Sequence, residues 1–242
     1  WTRLNSAVDE AAAALIRTSF STLVRESHDF SCILTDAHGR SLVQATKSIP
    51  SFIGTLPATV KHFLREFPPE TLFPGDVLIT NDIHQGTGHL PDISLAKPIF
   101  VNERLVGFAA STAHAPDIGG KIRSPEPREV FEEGFQIPIM KFHNRGVIDA
   151  SLETLLRKNV RTPDQTMGDL WAQVVALDLM EQRLMTLMEH YGLDELGALA
   201  AEIQGRSERA MRAAIAKLPD GVYTSELMTD GVSEKPIHLA MT

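Results

Sequence analysis

Two apolar runs typical of β-strands, residues 93–101 and 105–113, are separated only by the polar triplet Asn102-Glu103-Arg104. A connection this short predicts an antiparallel hairpin, because strands joined by a tight polar turn pair directly with each other. Pro98 lies inside the first run. Since proline cannot donate a ladder hydrogen bond, it indicates a bulge or an edge there. The register of the hairpin is therefore predicted to within one residue.

The residues that flank this hairpin are rich in histidine and aspartate. If the turn is centred on Glu103, Asp92 faces His114, and His89 faces Asp117. Antiparallel partners lie about 5 Å apart at Cα. Side chains that are distant in sequence are therefore expected to converge at one end of the hairpin.

Two imidazoles with one or two carboxylates suit a divalent transition metal, and such a set leaves coordination positions for water or substrate. A metal there would lower the pKa of a water molecule or polarise a carbonyl oxygen. Loop histidines bonded to nearby backbone carbonyls are the alternative, and we favour the metal because four ligand-type residues converge. These ligands do not distinguish zinc, manganese and iron. Four glycines beside them would let backbone approach a ligand closely: Gly86, Gly88, Gly119 and Gly120.

The whole chain predicts an α+β fold, in which a mixed region of helix and antiparallel β-hairpins precedes long α-helices. We divide it into an α/β metal-site region over residues 1–150, a helical region over 151–220, and the start of a β-rich segment over 221–242. The chain begins at Trp1 rather than methionine and ends soon after a new strand-like run. We therefore expect a fragment that is truncated before a further β-rich part.

Periodicity and turn residues place the individual elements. Thr162 as cap, Pro163 at the first helical position and Gln165 in a capping box predict the start of a long helix, which Gly192 ends. The predicted helices are residues 5–25 capped by Ser6, a short helix with Pro57 in its first turn, 163–191 and 193–217, and the further strands are 30–34, 42–45, 77–80 and 223–228.

Composition limits the class of protein. Lys plus Arg is 23 and Asp plus Glu is 31, and the net charge of −8 argues against a nucleic-acid or anionic-membrane surface. The single cysteine, Cys32, excludes an internal disulfide and a cysteine-based metal site, and it favours a reducing compartment. No run approaches the roughly 18 apolar residues of a membrane span. We expect a cytoplasmic protein that acts on a small molecule.

The segment from Asn81 to Asp92 and the segment His114-Ala115-Pro116-Asp117-Ile118-Gly119-Gly120 resemble the signature of the hydantoinase B/oxoprolinase family. That family includes subunits of ATP-dependent hydantoinases, 5-oxoprolinases, and acetone and acetophenone carboxylases. The similarity covers the chain, and members are about twice this long, so the chain resembles the N-terminal half. Further matching blocks are Arg17 to Ser21, Glu26, Asp29 to Ser31, Glu133-Gly134, Ile137-Pro138, Asn159 to Pro163, Gly168 to Leu170 and Gln173.

The resemblance implies that His89, Asp92 and His114 ligate the metal, which is manganese in the acetone carboxylase branch. It makes Asp117 a fourth ligand or a neighbour that orients a histidine. Many members carry proline and an aromatic residue after Asn-Asp, where this chain has isoleucine and His84. His84 is therefore kept as an additional candidate ligand.

Three further residues are candidates for the chemistry. Asn81 and Asp82 end a predicted buried strand and would orient the metal loop, although a local turn capped by Asp82 accounts for them equally well. Glu133 is a candidate general base for water beside the metal, and a solvated loop carboxylate is the alternative.

The absence of a nucleotide-binding motif bears on which subunit would use ATP. Gly119-Gly120-Lys121 lacks the spacing of a phosphate-binding loop, and no other nucleotide motif is visible. The resemblance then implies that a partner, a hydantoinase A-type ATP-binding subunit, phosphorylates a carbonyl or amide oxygen. This chain would complete ring opening of a cyclic amide of hydantoin or oxoproline type at its metal, as one subunit of a hetero-oligomeric hydrolase.

Three rival functions stay open at this point. One is a subunit of an ATP-dependent ketone carboxylase of the acetone or acetophenone type. Another is a noncatalytic assembly subunit with a structural metal, for which a closed four-ligand shell would be expected. The third is a non-haem iron oxygenase, which also uses two histidines and a carboxylate.

Overall fold

The computed structural model describes residues 1–121, 126–231 and 235–242. The helices are α1 (Thr2–Thr18), α2 (Thr22–Arg25), α3 (Phe52–Glu66), α4 (Val130–Glu133), α5 (Ala150–Asn159), α6 (Pro163–Tyr191) and α7 (Gly197–Ile215), with a 3-10 turn at Pro69–Thr71. The strands are β1 (Phe30–Asp36), β2 (Ser41–Gln44), β3 (Val77–Thr80), β4 (Asp92–Val101), β5 (Arg104–His114), β6 (Met140–Asn144), β7 (Val147–Ile148), β8 (Ser225–Thr229) and β9 (Ile237–Met241).

Seven strands form one antiparallel sheet in the order β2-β1-β5-β4-β3-β6-β7. The hairpin of β4 and β5 lies at its centre. Its predicted register is confirmed from Asp92, which pairs with His114, to Ile99, which pairs with Gly107. The irregularity that Pro98 indicated falls between Ile99 and Phe100, near the turn. The end of the hairpin that carries the predicted site is therefore unaffected.

Both faces of this sheet are covered by helices. On one face α1 and α6 pack on a large core that includes Leu34, Leu95 and Ile99. On the other face α3 contributes Leu56, Val60 and Phe63 to a second core. The hydrophobic layer on each side explains why successive residues of β1, β3 and β5 are buried instead of alternating with exposed ones. The expected combination of an antiparallel sheet with helices is confirmed.

The N-terminal helix differs from the prediction in having a break and a different start. It begins after Trp1 rather than Ser6, and it ends at Thr18. The backbone N–H groups of Phe20 and Ser21 donate to Asp169 Oδ1 of α6, at 2.6 and 3.2 Å, instead of continuing the helical ladder. A tertiary bond to a residue far along the chain is not visible in helical periodicity.

Helix α3 begins five residues before Pro57, so the prediction that Pro57 lies in its first turn is wrong. The helix tolerates this interior proline although it loses one backbone hydrogen bond. Phe52 and Leu56 are buried on the same side, which supplies packing for these early turns.

Helix α6 confirms its predicted bounds, with Pro163 at its start and Gly192 in the left-handed conformation at its C-cap, with φ +61°. The Thr162 side chain makes no capping bond, which corrects the predicted capping box. Gln165 instead donates from its side chain to the carbonyl of Phe20 at 3.4 Å. Several elements were not predicted, because they are short or follow no clear period, among them α4, β6, β7 and α5.

The described chain divides into two compact units, residues 1–203 and 204–242. This division differs from the predicted regions 1–150, 151–220 and 221–242. Helices α5 and α6 bury their apolar side chains in the same core as the sheet. In the second unit β8, which overlaps the predicted strand 223–228, pairs with β9, an antiparallel strand that was not predicted.

None of the helices in the described part of the chain combines the length and apolar character that crossing a membrane requires.

The buried thiol of Cys32 gives a direct test of the central sheet. Burial raises the pKa of Cys32 to about 12, so the reactive thiolate is scarce at neutral pH. We expect peptide mapping after treatment with iodoacetamide at pH 8 to find Cys32 unlabelled in the folded protein and fully labelled in denaturant. Rapid labelling under native conditions would contradict the fold described for β1.

Candidate metal centre

The β4–β5 pairing builds the first part of the site. Asp92 is the first residue of β4, and His114 is the last residue of β5 and pairs directly with it. His89 lies three residues before Asp92 in the loop that leads into β4. Strand pairing thus fixes two of the predicted ligands, and a short loop carries the third.

The three side chains converge on one carboxylate oxygen. Asp92 Oδ1 lies 2.9 Å from His89 Nε2 and 3.0 Å from His114 Nδ1. The two imidazole rings are 5.0 Å apart between centroids. The other oxygen, Asp92 Oδ2, accepts a hydrogen bond of 2.9 Å from Thr87 Oγ1. We call His89, Asp92 and His114 the His–Asp cluster.

The donor set of this cluster fits a divalent transition metal. One ligand atom from each residue lies within 4.8 Å of the other two. Ligand atoms around a tetrahedral ion with bonds of about 2.1 Å lie roughly 3.4 Å apart. The distances of 2.9 and 3.0 Å from Asp92 Oδ1 to the two imidazole nitrogens are similar to that value. Two imidazole nitrogens with one carboxylate suit zinc, manganese and iron alike.

The electrostatics keep the carboxylate ionised. Burial raises the pKa of Asp92, but hydrogen bonds from His114, His89 and Thr87 outweigh it and hold the pKa at about 2. The hydrogen bond to Asp92 raises the pKa of His89, against the effect of partial burial. A carboxylate that stays charged in a buried place is the form that binds a cation.

A cleft opens beside the cluster. It has a volume of ≈ 430 Å³, and its lining is mainly loop residues with the start of α3: Asp29, Ser51, Phe52, Thr87, Gly88, His89 and Asp92. His89 is the most exposed residue of the cluster, with 43% of its side chain accessible, against 5% for Asp92. The cluster is therefore reachable by a small molecule.

Asp29 is a site residue to which sequence reasoning assigned no chemical role. Its Oδ2 lies 3.7 Å from His114 Nδ1, and its backbone carbonyl accepts a bond of 3.0 Å from the His114 N–H. Burial raises the pKa of Asp29, and the charge of His114 opposes that shift. The signal that could have found it is its position directly before β1, which pairs with β5.

Asn81 and Glu133 hold the loop that carries His89. The Asn81 side chain donates to the carbonyl of Leu90 at 2.8 Å and accepts from the N–H of Ile137 at 2.6 Å. The N–H of Leu90 donates to Glu133 Oε2 at 3.1 Å. The expectation that Asn81 orients the loop matches these contacts, while a role of Glu133 as general base stays a prediction.

Asp82 and His84 lie outside the cluster. Asp82 Oδ1 accepts bonds from the backbone N–H groups of His84 and Gln85, at 2.8 and 3.1 Å, so it caps its own turn. His84 is exposed. The group of potential metal ligands found among the described residues does not include either of them.

Asp117 makes contacts that differ from the predicted ones. The β4–β5 ladder starts at Asp92 and His114, so it does not extend to a pairing of His89 with Asp117. The buried Asp117 carboxylate instead accepts from Arg161, whose Nη1 lies 3.0 Å from Oδ1, and from the backbone N–H groups of Gly119, Arg161 and Thr162. These contacts hold the loop after β5 against the start of α6, and a role for Asp117 at a metal stays a prediction.

Gly119 shows why glycine is needed in that loop. Its φ is +82°, and a Cβ there would lie 2.7 Å from the carbonyl oxygen of Asn159. The close approach predicted for a ligand is thus made by the backbone of the chain itself.

A family profile described as hydantoinase B/oxoprolinase matches residues 1–242. The chain belongs to the hydantoinase B/oxoprolinase family. It is 36% identical over 234 residues to a putative D-/L-hydantoinase subunit from Pseudomonas sp. strain NS671, covering 94% of this chain and 40% of that protein. The chain therefore spans less than half the length of that relative.

Two solved structures share the fold of this hydantoinase B family member. The crystal structure of the ATP-dependent caprolactamase from Pseudomonas jessenii matches with a TM-score of 0.86 and 30% identity, over 93% of this chain and 39% of that one. The nucleotide-free structure of an acetone carboxylase matches with a TM-score of 0.77 over 94% of this chain and 30% of that one. At 21% identity, the second similarity shows the fold alone.

We expect His114→Ala to remove a bound divalent transition metal, because the variant loses one of three donors. Elemental analysis of the intact protein should find about one metal ion per chain in the wild type and little in the variant. His84→Ala is the matched control, since this exposed histidine is outside the cluster. Equal metal content in wild type and His114→Ala would exclude His114 as a ligand.

We expect Asp117→Asn to lower the free energy of unfolding by about 2 kcal/mol, because hydrogen bonds to a buried charged group are each worth roughly 1.5–3 kcal/mol. Asparagine keeps one acceptor oxygen but cannot replace the ion pair with Arg161. Urea denaturation measures the loss, and metal content should stay at the wild-type level. A variant of wild-type stability that loses its metal would show instead that Asp117 is a ligand.

Proposed function

We propose that this chain is part of the metal-containing subunit of an ATP-dependent cyclic amide hydrolase. In this proposal a hydantoinase A-type partner subunit phosphorylates the amide oxygen, and the chain completes the ring opening at the His–Asp cluster. The observation that carries the proposal is the convergence of two histidines and one ionised aspartate at the edge of an accessible cleft.

The named relatives support a cyclic amide as the substrate class. Hydantoins and caprolactam are cyclic amides, and the proteins named for them are 36% and 30% identical to this chain over more than nine-tenths of its length. The acetone carboxylase is more distant, at 21% identity, so it adds no argument for ketone carboxylation. The carboxylase alternative therefore ranks second.

The cleft supports a catalytic rather than a purely structural metal. A structural site is expected to have a closed shell of four protein ligands. Among the described residues the cluster offers three, and His89 faces the cleft with almost half of its side chain accessible. This arrangement leaves room for substrate or water beside the ligands.

When bound, a divalent cation supplies Lewis acidity, which polarises a carbonyl oxygen and activates water. The residues of the chain then have distinct tasks. His89, Asp92 and His114 hold the cation. Thr87 keeps Asp92 in place by binding its second oxygen at 2.9 Å. Asp29, which lines the cleft, is placed to hold a proton at its carboxylate, and Glu133 is the second candidate for that task.

Phosphorylation is assigned to the partner because the chain carries no phosphate-binding loop motif. A phosphoryl group on the amide oxygen makes the ring carbon more electrophilic, so that water adds to it and the ring C–N bond breaks, with a proton going to the departing nitrogen. A second water then hydrolyses the remaining acyl phosphate to a carboxylate and inorganic phosphate. Both subunits are then required for turnover, and the complex is a hetero-oligomer.

We expect the intact protein with its ATP-binding partner to open a cyclic amide in a strictly ATP-dependent manner. A screen of hydantoins, 5-oxoproline and lactams, with product detection by mass spectrometry, identifies the substrate. In that complex His114→Ala should lose at least 10²-fold in turnover, as expected for loss of a metal ligand, whereas His84→Ala should stay near the wild type.

Two outcomes would contradict the proposal. Carboxylation of small ketones by the same complex, without hydrolysis of any cyclic amide, would favour the carboxylase alternative. Robust ATP hydrolysis by the protein without its partner, free of contaminants, would overturn the assignment of phosphorylation to the partner.

A further inference from the structure

Four hydroxyl side chains lie in a row across the centre of the sheet. The strand register places Ser31 opposite Thr112, Thr112 opposite Ser94, and Ser94 opposite Thr80. Each of the four is 0% exposed. We call them the hydroxyl row. Four adjacent buried hydroxyls are unusual in a sheet whose other inward positions are mostly apolar.

The hydroxyl row lies on the α3 face, next to the His–Asp cluster. Residues two apart on a strand share a face. Two residues away from the cluster, the same four strands carry members of the core that packs against α3, namely Ile33, Ala110, Ala96 and Leu78. Two residues toward the cluster, β4 and β5 carry Asp92 and His114. The row is therefore about 7 Å from the ligand pair, one repeat along the strands.

The hydrogen bonding of this row is incomplete within the chain. Ser31 Oγ is buried and has no partner among the described residues. Thr112 Oγ1 accepts from Ser94 Oγ at 3.2 Å, and no acceptor for its own proton is found in the described part of the chain. On the facing helix α3, Thr55 Oγ1 is also buried without a partner among those residues. Such groups in folded proteins are usually paired, and buried water is the common partner.

We propose that the hydroxyl row is an internal hydration site, in which ordered water bridges Ser31 and Thr112 between the sheet and α3. Water fits better than substrate, because the row has no exposed surface and does not line the ≈ 430 Å³ cleft. Phe52, the first residue of α3, lines that cleft, so the same helix borders the cleft and covers this face of the sheet. A role for this water in catalysis rests on the proposed function, because a hydrolase consumes water beside the His–Asp cluster.

Crystal structures of the intact protein at high resolution test the site directly. We expect a water molecule within hydrogen-bond distance of Ser31 Oγ and Thr112 Oγ1 in the wild type, and its loss in Ser31→Ala. Ser111→Ala is the control, because Ser111 neighbours Thr112 but faces α6, where it donates to Gln173 at 2.9 Å. A dry hydroxyl row in the wild type would overturn the proposal.

The free energy of unfolding provides a second test. It should change in opposite directions depending on whether the Ser31 hydroxyl has no partner or binds a water molecule. Removing a hydroxyl that has no partner leaves stability unchanged or raises it, whereas removing one that binds water lowers it. We expect the unfolding equilibrium constant of Ser31→Ala to rise about five-fold. Ser31→Cys keeps a similar side-chain shape with a much weaker hydrogen-bonding group, and it provides the same measurement should Ser31→Ala fail to fold. Unchanged or higher stability in the variant measured would contradict a bound water.

Turnover separates this inference from the proposed function. In the active complex, Ser31→Ala should lower kcat several-fold with KM and metal content unchanged, because the row lies outside the cleft and the ligand set. A wild-type kcat in a variant that has lost the water would show that the site has no catalytic role. Water in the row of a protein that opens no cyclic amide would contradict the proposed function alone.

Discussion

The register of β4 and β5 is the constraint on which the site depends. Asp92 opens β4 and His114 ends β5, so the ladder that pairs them also brings a carboxylate and an imidazole to 3.0 Å. A slip of one residue would turn one of these side chains to the opposite face of the sheet. The register is held by an unbroken ladder from Asp92 to Ile99, and the irregularity lies beyond it, where the hairpin turns. The central place of this hairpin in the sheet adds a neighbour on each side, β1 and β3, which further fixes both strands.

His89, the third residue of the His–Asp cluster, lies on a loop, and buried polar contacts outside the cluster hold it. Leu90, next to His89, has its carbonyl bound by Asn81 and its N–H bound by Glu133. Asn81 also binds the Ile137 N–H, so the end of β3 and residues 133–137 clamp the loop between them. Each of these buried groups would cost roughly 1–3 kcal/mol if left unpaired. The loop therefore has one strongly favoured position, and His89 meets Asp92 without a large loss of freedom when a ligand binds.

The sequence predicted what local patterns and hairpin symmetry determine. The polar turn at residues 102–104 was enough to place Asp92 beside His114, and Pro163 with Gly192 was enough to bound α6. The sequence alone could not predict contacts between segments that lie far apart along the chain. The Arg161 partner of Asp117 and the place of Asp29 in the cleft both depend on how α6 and β1 lie against β5.

The α3 face of the sheet changes from apolar to polar toward the site. Far from it, the layer is apolar, with Leu78, Ala96, Ala110 and Ile33 side by side. An ionised carboxylate placed directly against such a layer would lose its hydration without compensation. The hydroxyl row lies between the Asp92 carboxylate and this apolar layer. The nearest inward side chains on the same face of the sheet can therefore donate and accept hydrogen bonds. The imidazoles and Thr87 compensate the Asp92 carboxylate on its outer side and hold its pKa at about 2 despite its burial. On the inner side, the residues two positions into β4 and β5 are polar where the sheet meets this carboxylate, and they are apolar one repeat further on.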